Sequence, residues 1–295
     1  LDIMGAGATF PKALYTDAIF AYRFVQSDVS ITYLDTGSWG GKSRIKDGDK
    51  QTPDEYGQPY NIDFAGSDSL LSNSDYASYP DLQMYPAVAG AVVPIYNLPE
   101  LMEAKISLVL KTRTVAKIFA GEIRYWNHKD IIADNSNSPI SSKVLQGLNT
   151  TIKLFVRYDK SGTTEIWKKS LSAAYQSFKT SIGEDSSNKW NKTDPSVYNM
   201  REGNEGVASA VLATPYSMGY SVLGNALDLE LPVPELLTGT SSKPRRLVNE
   251  TPCIADFGNN GDDPERLTAD VHAASGSQAW PMVGYTYLVM RKNTL

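Results

Sequence analysis

Apolar positions along this chain follow two rhythms. Continuous or alternating runs read as strands, and positions three and four apart read as helices. Ser30 to Leu34, Ile62 to Ala65, Ala87 to Tyr96, Ile152 to Val156, Met218 to Val222 and Thr286 to Met290 predict strands, and the Ala87–Tyr96 run is continuous enough for a strand buried between layers. Helices are predicted over about Lys12 to Phe24, through Leu14, Ala18, Ile19, Tyr22 and Val25, and over Thr114 to Ala120. A third follows residue 165, through Ile166, Trp167, Leu171, Ala174, Tyr175 and Phe178. A fourth runs from Glu205 to Ala213, with Asn204 as its expected cap and Pro215 as its stop. Short strands alternating with helices predict an α/β fold with a mostly parallel sheet.

The polar residues between these elements are patterned as well. Gly5-Ala6-Gly7-Ala8-Thr9-Phe10-Pro11 reads as a glycine-rich loop with Pro11 opening a helix, Gly37 to Gly41 as the turn after a strand, and Gly66-Ser67-Asp68 as another exit turn. Residues 42–61 read as a helix remnant and an exposed insertion. Arg157 to Glu165 is the most informative stretch, because it sets a guanidinium, hydroxyls and a glycine ahead of a helix. A helix N-terminus offers unpaired N–H groups and a positive dipole end, so these additions suit a tetrahedral oxyanion. Each loop alone reads more readily as a simple turn before a capped helix. Together they repeat strand, Gly/Ser/Thr loop, helix, and in open α/β sheets such loops gather at the strand ends where ligands bind.

Composition narrows the choice. The chain has 295 residues, 41% hydrophobic and 21% charged, with room for one large or two smaller domains. A net charge of −5 argues against nucleic acid as a partner and requires any anion site to be built from directed local donors. The single cysteine, Cys253, allows no internal disulfide, and the two histidines, His128 and His272, stand in no zinc or triad motif. No cofactor or metal is implied. The apolar run from Pro86 to Tyr96 is too short to span a bilayer. The chain opens at Leu1 without an initiator Met or signal peptide, which reads as a mature form or an excised domain. Sequons at Asn149, Asn191 and Asn249 are what chance gives a chain rich in Asn, Ser and Thr.

Taken in order, these loops resemble the periplasmic phosphate-binding proteins of bacterial ABC importers. The resemblance rests on Gly5 to Pro11, on Gly37-Ser38-x-Gly40-Gly41, on Asp63-Phe64-x-x-Ser67-Asp68 and on Arg157-x-Asp159-x-Ser161-Gly162-Thr163. Gly121-x-Ile123 with Trp126-Asn127, Gly203-Asn204-x-Gly206, Gly219-Tyr220 and Ala279-Trp280-Pro281 support it. It implies a two-lobed, hinged periplasmic-binding-protein-like fold, each lobe a mainly parallel sheet flanked by helices. Residues 1–92 plus 223–295 are expected to form lobe I and residues 93–222 lobe II, with a ligand cleft between them and a hinge near 92–96 and 220–223. By position, the Thr9 hydroxyl, the Phe10 N–H, Ser38 and Asp68 contact phosphate from one lobe, and Arg157, Ser161, the Gly162 N–H and Thr163 from the other. Asp159 pairs with Arg157. Asp68 is the discriminating residue: a buried carboxylate tolerates hydrogen phosphate, which has a proton to donate, and disfavours sulfate, which has none. A turn or helix N-cap role is the less favoured reading of Asp68.

The resemblance implies a non-enzymatic receptor, periplasmic or extracellular, that binds inorganic phosphate for uptake or sensing and presents its closed form to a membrane transporter or receptor. Trp39 departs from the family by standing where a small residue is usual, which narrows the mouth or stacks on something, and Lys160 stands where glycine is common. The insertion is longer and the chain ends sooner after its last strand than the family leads one to expect. Those departures keep open an interaction module of a cell-surface protein or receptor. Enzymatic readings are weaker. Gly37-x-x-x-Gly41-Lys42-Ser43 is one residue short of a nucleotide phosphate loop, and a phosphatase using Ser161 or Thr163 lacks a histidine base beside it.

Overall fold

The computed structural model describes residues 1–46, 61–190, 195–237, 263, 265–269 and 280–292. Its first part runs β1 (Asp2–Gly7), α1 (Lys12–Tyr22), β2 (Ser30–Leu34), α2 (Gly37–Lys46), β3 (Phe64–Ser67), α3 (Asn73–Ser78) and the long β4 (Leu82–Asn97). Next come α4 (Pro99–Glu103), β5 (Val109–Lys111), α5 (Thr112–Phe119), α6 (Lys129–Asp134), α7 (Pro139–Gly147), β6 (Lys153–Arg157), α8 (Gly162–Ala174) and α9 (Gln176–Ser181). β7 (Tyr198–Arg201), α10 (Gly203–Leu212), β8 (Ser217–Val222), α11 (Leu223–Asp228), β9 (Glu235–Leu237) and β10 (Val283–Arg291) complete it. Cys253, His272, Asn191, Asn249 and most of the expected insertion lie outside the described residues.

Eight strands form one sheet in the order β2-β1-β3-β10-β4-β8-β6-β7. β1 pairs in parallel with β2 and β3, and β6 pairs in parallel with β7 and β8. Between these parallel groups lie β10 and β4, each antiparallel to both its neighbours. β4 belongs to both halves: Leu82 to Ala91 pair with β10, and Val92 to Asn97 pair with β8. The second stretch is buried throughout, as its Val92, Val93, Ile95 and Tyr96 require. The β4–β10 register steps where Thr286 faces Val88 and Tyr287 faces Pro86, leaving Ala87 as an extra residue on β4. Proline offers no N–H to a ladder, and a bulge beside Pro86 is one way a sheet accommodates it.

Helices cover this sheet unevenly. The larger core surrounds Phe119, Trp126, Trp167 and Tyr220, where α5, α8 and α10 meet β4, β6 and β8. Each such fully buried large side chain contributes about 1.5–3 kcal/mol. The smaller core, of Ile45, Ala65, Leu71, Leu82, Met84, Tyr287 and Val289, lies around β3 and β10. Among the described residues no helix is long and apolar enough to cross a membrane.

Several expectations need correction. Residues 5–7, expected in a loop, belong to β1. Gly37 to Gly41, expected as a turn, open helix α2, and Gly41 is there because the helix lies hard against β1: a Cβ at Gly41 would stand 2.6 Å from the Ala6 carbonyl oxygen. This also removes the phosphate-loop reading, since a helix does not curl round a phosphate. Asn204 does not cap α10; it lies in its first turn behind Glu202, with its side chain turned elsewhere. The apolar residues of α1 face no core, for none of its residues is buried. β9 pairs with β5, and α11 packs on β4, β8 and α10.

Candidate functional site

Four of the loops read from the sequence converge where the two parallel groups of strands face each other. Thr9 and Phe10 follow β1, Ser38 lies in the first turn of α2, Asp68 follows β3, and Arg157 ends β6 ahead of α8. Arg157 is 0% exposed. A buried guanidinium is costly unless its donors are all met, and here they are aimed in two directions. Nε donates to Asp159 Oδ1 at 2.7 Å and Nη2 to Asp159 Oδ2, a bidentate pair that fixes the plane of the fork. Nη1 donates to Thr9 Oγ1 at 3.2 Å and to Asn204 Oδ1 at 2.5 Å. The pairing of Arg157 with Asp159 is therefore as expected.

From Arg157 the polar contacts continue across the site. Asn204 Nδ2 donates to Thr163 Oγ1 at 3.2 Å, and Thr163 Oγ1 reaches Asp68 Oδ2 at 3.5 Å. Ser38 Oγ reaches the same oxygen at 3.4 Å and accepts the Asp68 N–H at 3.1 Å. Thr286 Oγ1 donates to Asp68 Oδ1 at 2.7 Å. Gly162 opens α8 directly against this group: a Cβ there would stand 2.6 Å from both Asp68 Cβ and Ser38 Oγ, so only glycine lets the helix end approach. Ser161 caps α8, its Oγ accepting the Thr164 N–H at 3.3 Å, and its own N–H donates to the Ser186 carbonyl at 3.0 Å. The Phe10 ring lies over Gly90 of β4, where an added Cβ would meet it at 2.7 Å.

Of the nine residues named from the sequence, Thr9, Ser38, Asp68, Arg157, Asp159, Gly162 and Thr163 are brought together by these contacts, and Phe10 and Ser161 adjoin them along the chain. Three more were not named among them. Asn204 bridges Arg157 and Thr163, and Thr286 holds Asp68. The Tyr220 hydroxyl accepts the Arg157 N–H at 3.3 Å and pairs with Thr164 Oγ1 at 2.7 Å. Asn204 and Tyr220 stood inside motifs that supported the resemblance, which was the available signal; for Thr286 only the sheet register supplies one.

The two carboxylates differ sharply. Burial pushes Asp68 up to about 6, against the Thr286 hydrogen bond, the Arg157 charge and the Ser38 and Thr163 hydroxyls. Asp68 is therefore mostly ionised at neutral pH. Burial also pushes Asp159 up, but the Arg157 hydrogen bonds and charge and the Gly203 N–H outweigh it and hold the carboxyl below its usual range. At the rim, Trp39 is 51% exposed and the Lys160 ammonium stands 4.3 Å from its ring centroid, so Trp39 stacks on a cation supplied by the facing loop. Such a site holds directed hydroxyl donors, a fixed guanidinium and one acceptor carboxylate. It can hold a small oxyanion and test it for a proton.

Comparison with known proteins gives a consistent picture. A family model described as a PBP superfamily domain matches residues 1–294. Phosphate-binding protein PstS of Xylella fastidiosa (strain 9a5c) is 30% identical over 296 residues, covering 100% of this chain and 73% of that protein. A putative serine/threonine-protein kinase/receptor, R831, of Acanthamoeba polyphaga mimivirus is 27% identical over 289 residues, covering 94% of this chain and 16% of that protein. Among solved structures, a phosphate-binding protein from Stenotrophomonas maltophilia shares the fold with a TM-score of 0.70 at 21% identity, over 99% of this chain and 79% of that one.

Proposed function

The chain belongs to the PBP superfamily, in the family of the PstS phosphate-binding proteins, and we propose that it binds inorganic phosphate reversibly as a receptor and not as an enzyme. The observation that carries this reading is the presence, in one site, of a guanidinium fixed by Asp159 and a buried carboxylate, Asp68, whose oxygens among the described residues meet hydroxyls and no cation. A carboxylate in an anion site repels the ligand unless the ligand brings a proton, and hydrogen phosphate does. The ligand set is Thr9, the Phe10 N–H, Ser38, Asp68, Arg157, Ser161, the Gly162 N–H and Thr163, with Asp159 and Asn204 orienting Arg157 and Thr163.

The halves act as two lobes. Strands β1, β2, β3 and β10 with the first stretch of β4 form one, and the second stretch of β4 with β6, β7 and β8 forms the other. Pairing of β9 with β5 favours assigning residues 223–237 to the second lobe. Closure about β4 and β8 presents a new surface to a membrane transporter or receptor, in the periplasm or outside the cell.

The test is titration calorimetry of phosphate and sulfate at neutral pH, on protein unfolded and refolded to strip bound anion. Tight phosphate binding without sulfate binding is expected, and no heat with phosphate at millimolar concentration sinks the proposal. A second reading, a phosphate-sensing segment of a receptor chain, is favoured by the alignment with a much longer mimivirus protein named as a kinase/receptor. It is separated from uptake by asking whether the closed form engages a transporter or a second receptor segment.

A further inference from the structure

Thr286 is fully buried in β10, and its hydroxyl makes the shortest contact that Asp68 receives among the described residues, 2.7 Å to Oδ1. The sheet brings it there. β3 and β10 are antiparallel with Ser67 opposite Tyr287, and one further step of that register sets Thr286 opposite Asp68. On its other side Thr286 stands at the step in the β4–β10 ladder where Ala87 bulges from β4. Bulges beside binding sites serve to aim a side chain.

The two oxygens of Asp68 are consequently unequal. Oδ1 holds the short bond. Among the described residues Oδ2 has the long contacts from Ser38 and Thr163 alone, at 3.4 and 3.5 Å. Each of those hydroxyls already accepts a hydrogen bond, Ser38 from the Asp68 N–H and Thr163 from Asn204, and so has one proton to give either to Oδ2 or to an anion. We propose that Thr286 is a specificity-determining positioning residue of this site: it occupies Asp68 Oδ1 and leaves Oδ2 as the oxygen that accepts the ligand's proton. The inference rests on the phosphate reading above.

Among the described residues the charged and titratable groups facing Asp68 are few. Arg157 acts on it from the end of β6 but is engaged by Asp159, and Lys42 on α2 is bonded to Ser69 Oγ and the Leu70 carbonyl. Tyr15 on α1 and Tyr33 on β2 are neutral, their hydroxyls pushed by desolvation above an ordinary value already well over neutral pH. The Thr286 bond is the strongest influence opposing burial at Asp68. Without it the carboxyl becomes neutral at a higher pH and donates where it should accept, and a proton-free oxyanion such as sulfate is no longer refused.

The test compares Thr286→Val, which keeps the shape and removes the hydroxyl, with Thr286→Ser, which keeps the donor. Phosphate and sulfate binding are followed by calorimetry from about pH 5 to about pH 8 on anion-free protein, with thermal melts to establish folding. In Thr286→Val the phosphate-over-sulfate preference at neutral pH is expected to fall about tenfold, and the pH below which sulfate binds is expected to move upward. Thr286→Ser is expected to keep both near wild type. A folded Thr286→Val protein with wild-type preference and wild-type pH midpoint overturns the proposal, as does a folded Thr286→Ser protein that behaves like the valine variant. If the valine variant does not fold, Thr286→Cys, a much weaker donor, takes its place with the same expected order and the same overturning result. Wild-type protein that binds no phosphate overturns the phosphate reading itself, a result distinct from equal preferences in wild type and variant.

Discussion

Asp68 and Asp159 lie on opposite sides of one site, each just past the end of a parallel strand, and both are removed from most of the solvent. Asp159 receives a whole guanidinium and the Gly203 N–H, and its carboxyl titrates below the usual range. Asp68 receives hydroxyls from Thr286, Ser38 and Thr163, feels Arg157 only at a distance, and is pushed up to about 6. The same side chain becomes a fixed counter-charge in one place and a proton acceptor in reserve in the other. What separates them is whether a cation touches the carboxylate, since burial pushes both the same way.

The contrast can be broken most forcefully at Arg157. Arg157→Ala leaves Asp159 partly buried without its partner, and removing one member of such a pair costs about 3 kcal/mol or more. Urea unfolding should show that loss, and calorimetry should show phosphate binding abolished; retained binding would refute the role given to the guanidinium. Asp68→Asn should act in the opposite sense on the ligand-free fold. A carboxylate whose folded pKa is raised to about 6 contributes most below the ordinary carboxylate range, and that contribution is lost as pH rises through about 6. The uncharged amide escapes the loss, so the variant should be more stable than wild type by about 1–3 kcal/mol at pH 7, with the gap closing toward about pH 4. A stability gap independent of pH would contradict this.

Asp159→Asn should give the reverse slope. Its depressed pKa contributes stability above the usual carboxylate range that is lost as pH falls through the folded value. The variant should lose about 1–2 kcal/mol at neutral pH and approach wild type in acid. Parallel pH–stability curves for the two asparagine variants would erase the contrast. Trp39→Ala is the mildest lever. Removing the ring beneath Lys160 should weaken phosphate binding by a few-fold, in keeping with about 0.5–1 kcal/mol for an exposed cation–π contact, and should leave both pH slopes unchanged.

Much of this arrangement was legible before the fold was known. Strands β2, β3, β6, β8 and β10 announce themselves as apolar runs, and the hydroxyl-rich segments after β2, β3 and β6 mark the side where the site lies. Sequence reasoning failed where long-range packing overrode local preference. Gly40 and Gly41 each disfavour a helix by about 1 kcal/mol, yet α2 forms because glycine lets it settle onto β1. Asn204 carries a capping side chain but spends it on Arg157 and Thr163 across the site. Thr286 looks like any strand threonine until the pairing of β3 with β10 is fixed, because a register is a property of two distant segments. The apolar spacing of α1 resembles a core face although none of its residues is buried.

β4 runs unbroken through the line where the sheet changes partners, bonded to β10 up to Ala91 and to β8 from Val92. Halves joined by slack linkers rotate freely; halves joined by a hydrogen-bonded ribbon rotate only by winding it. If the halves close on an anion as proposed, such a ribbon would act as a torsion bar, storing work on closing and returning it on opening. An anion gripped between the halves would therefore be held against a standing torque, and that torque would assist its release as soon as the grip loosened.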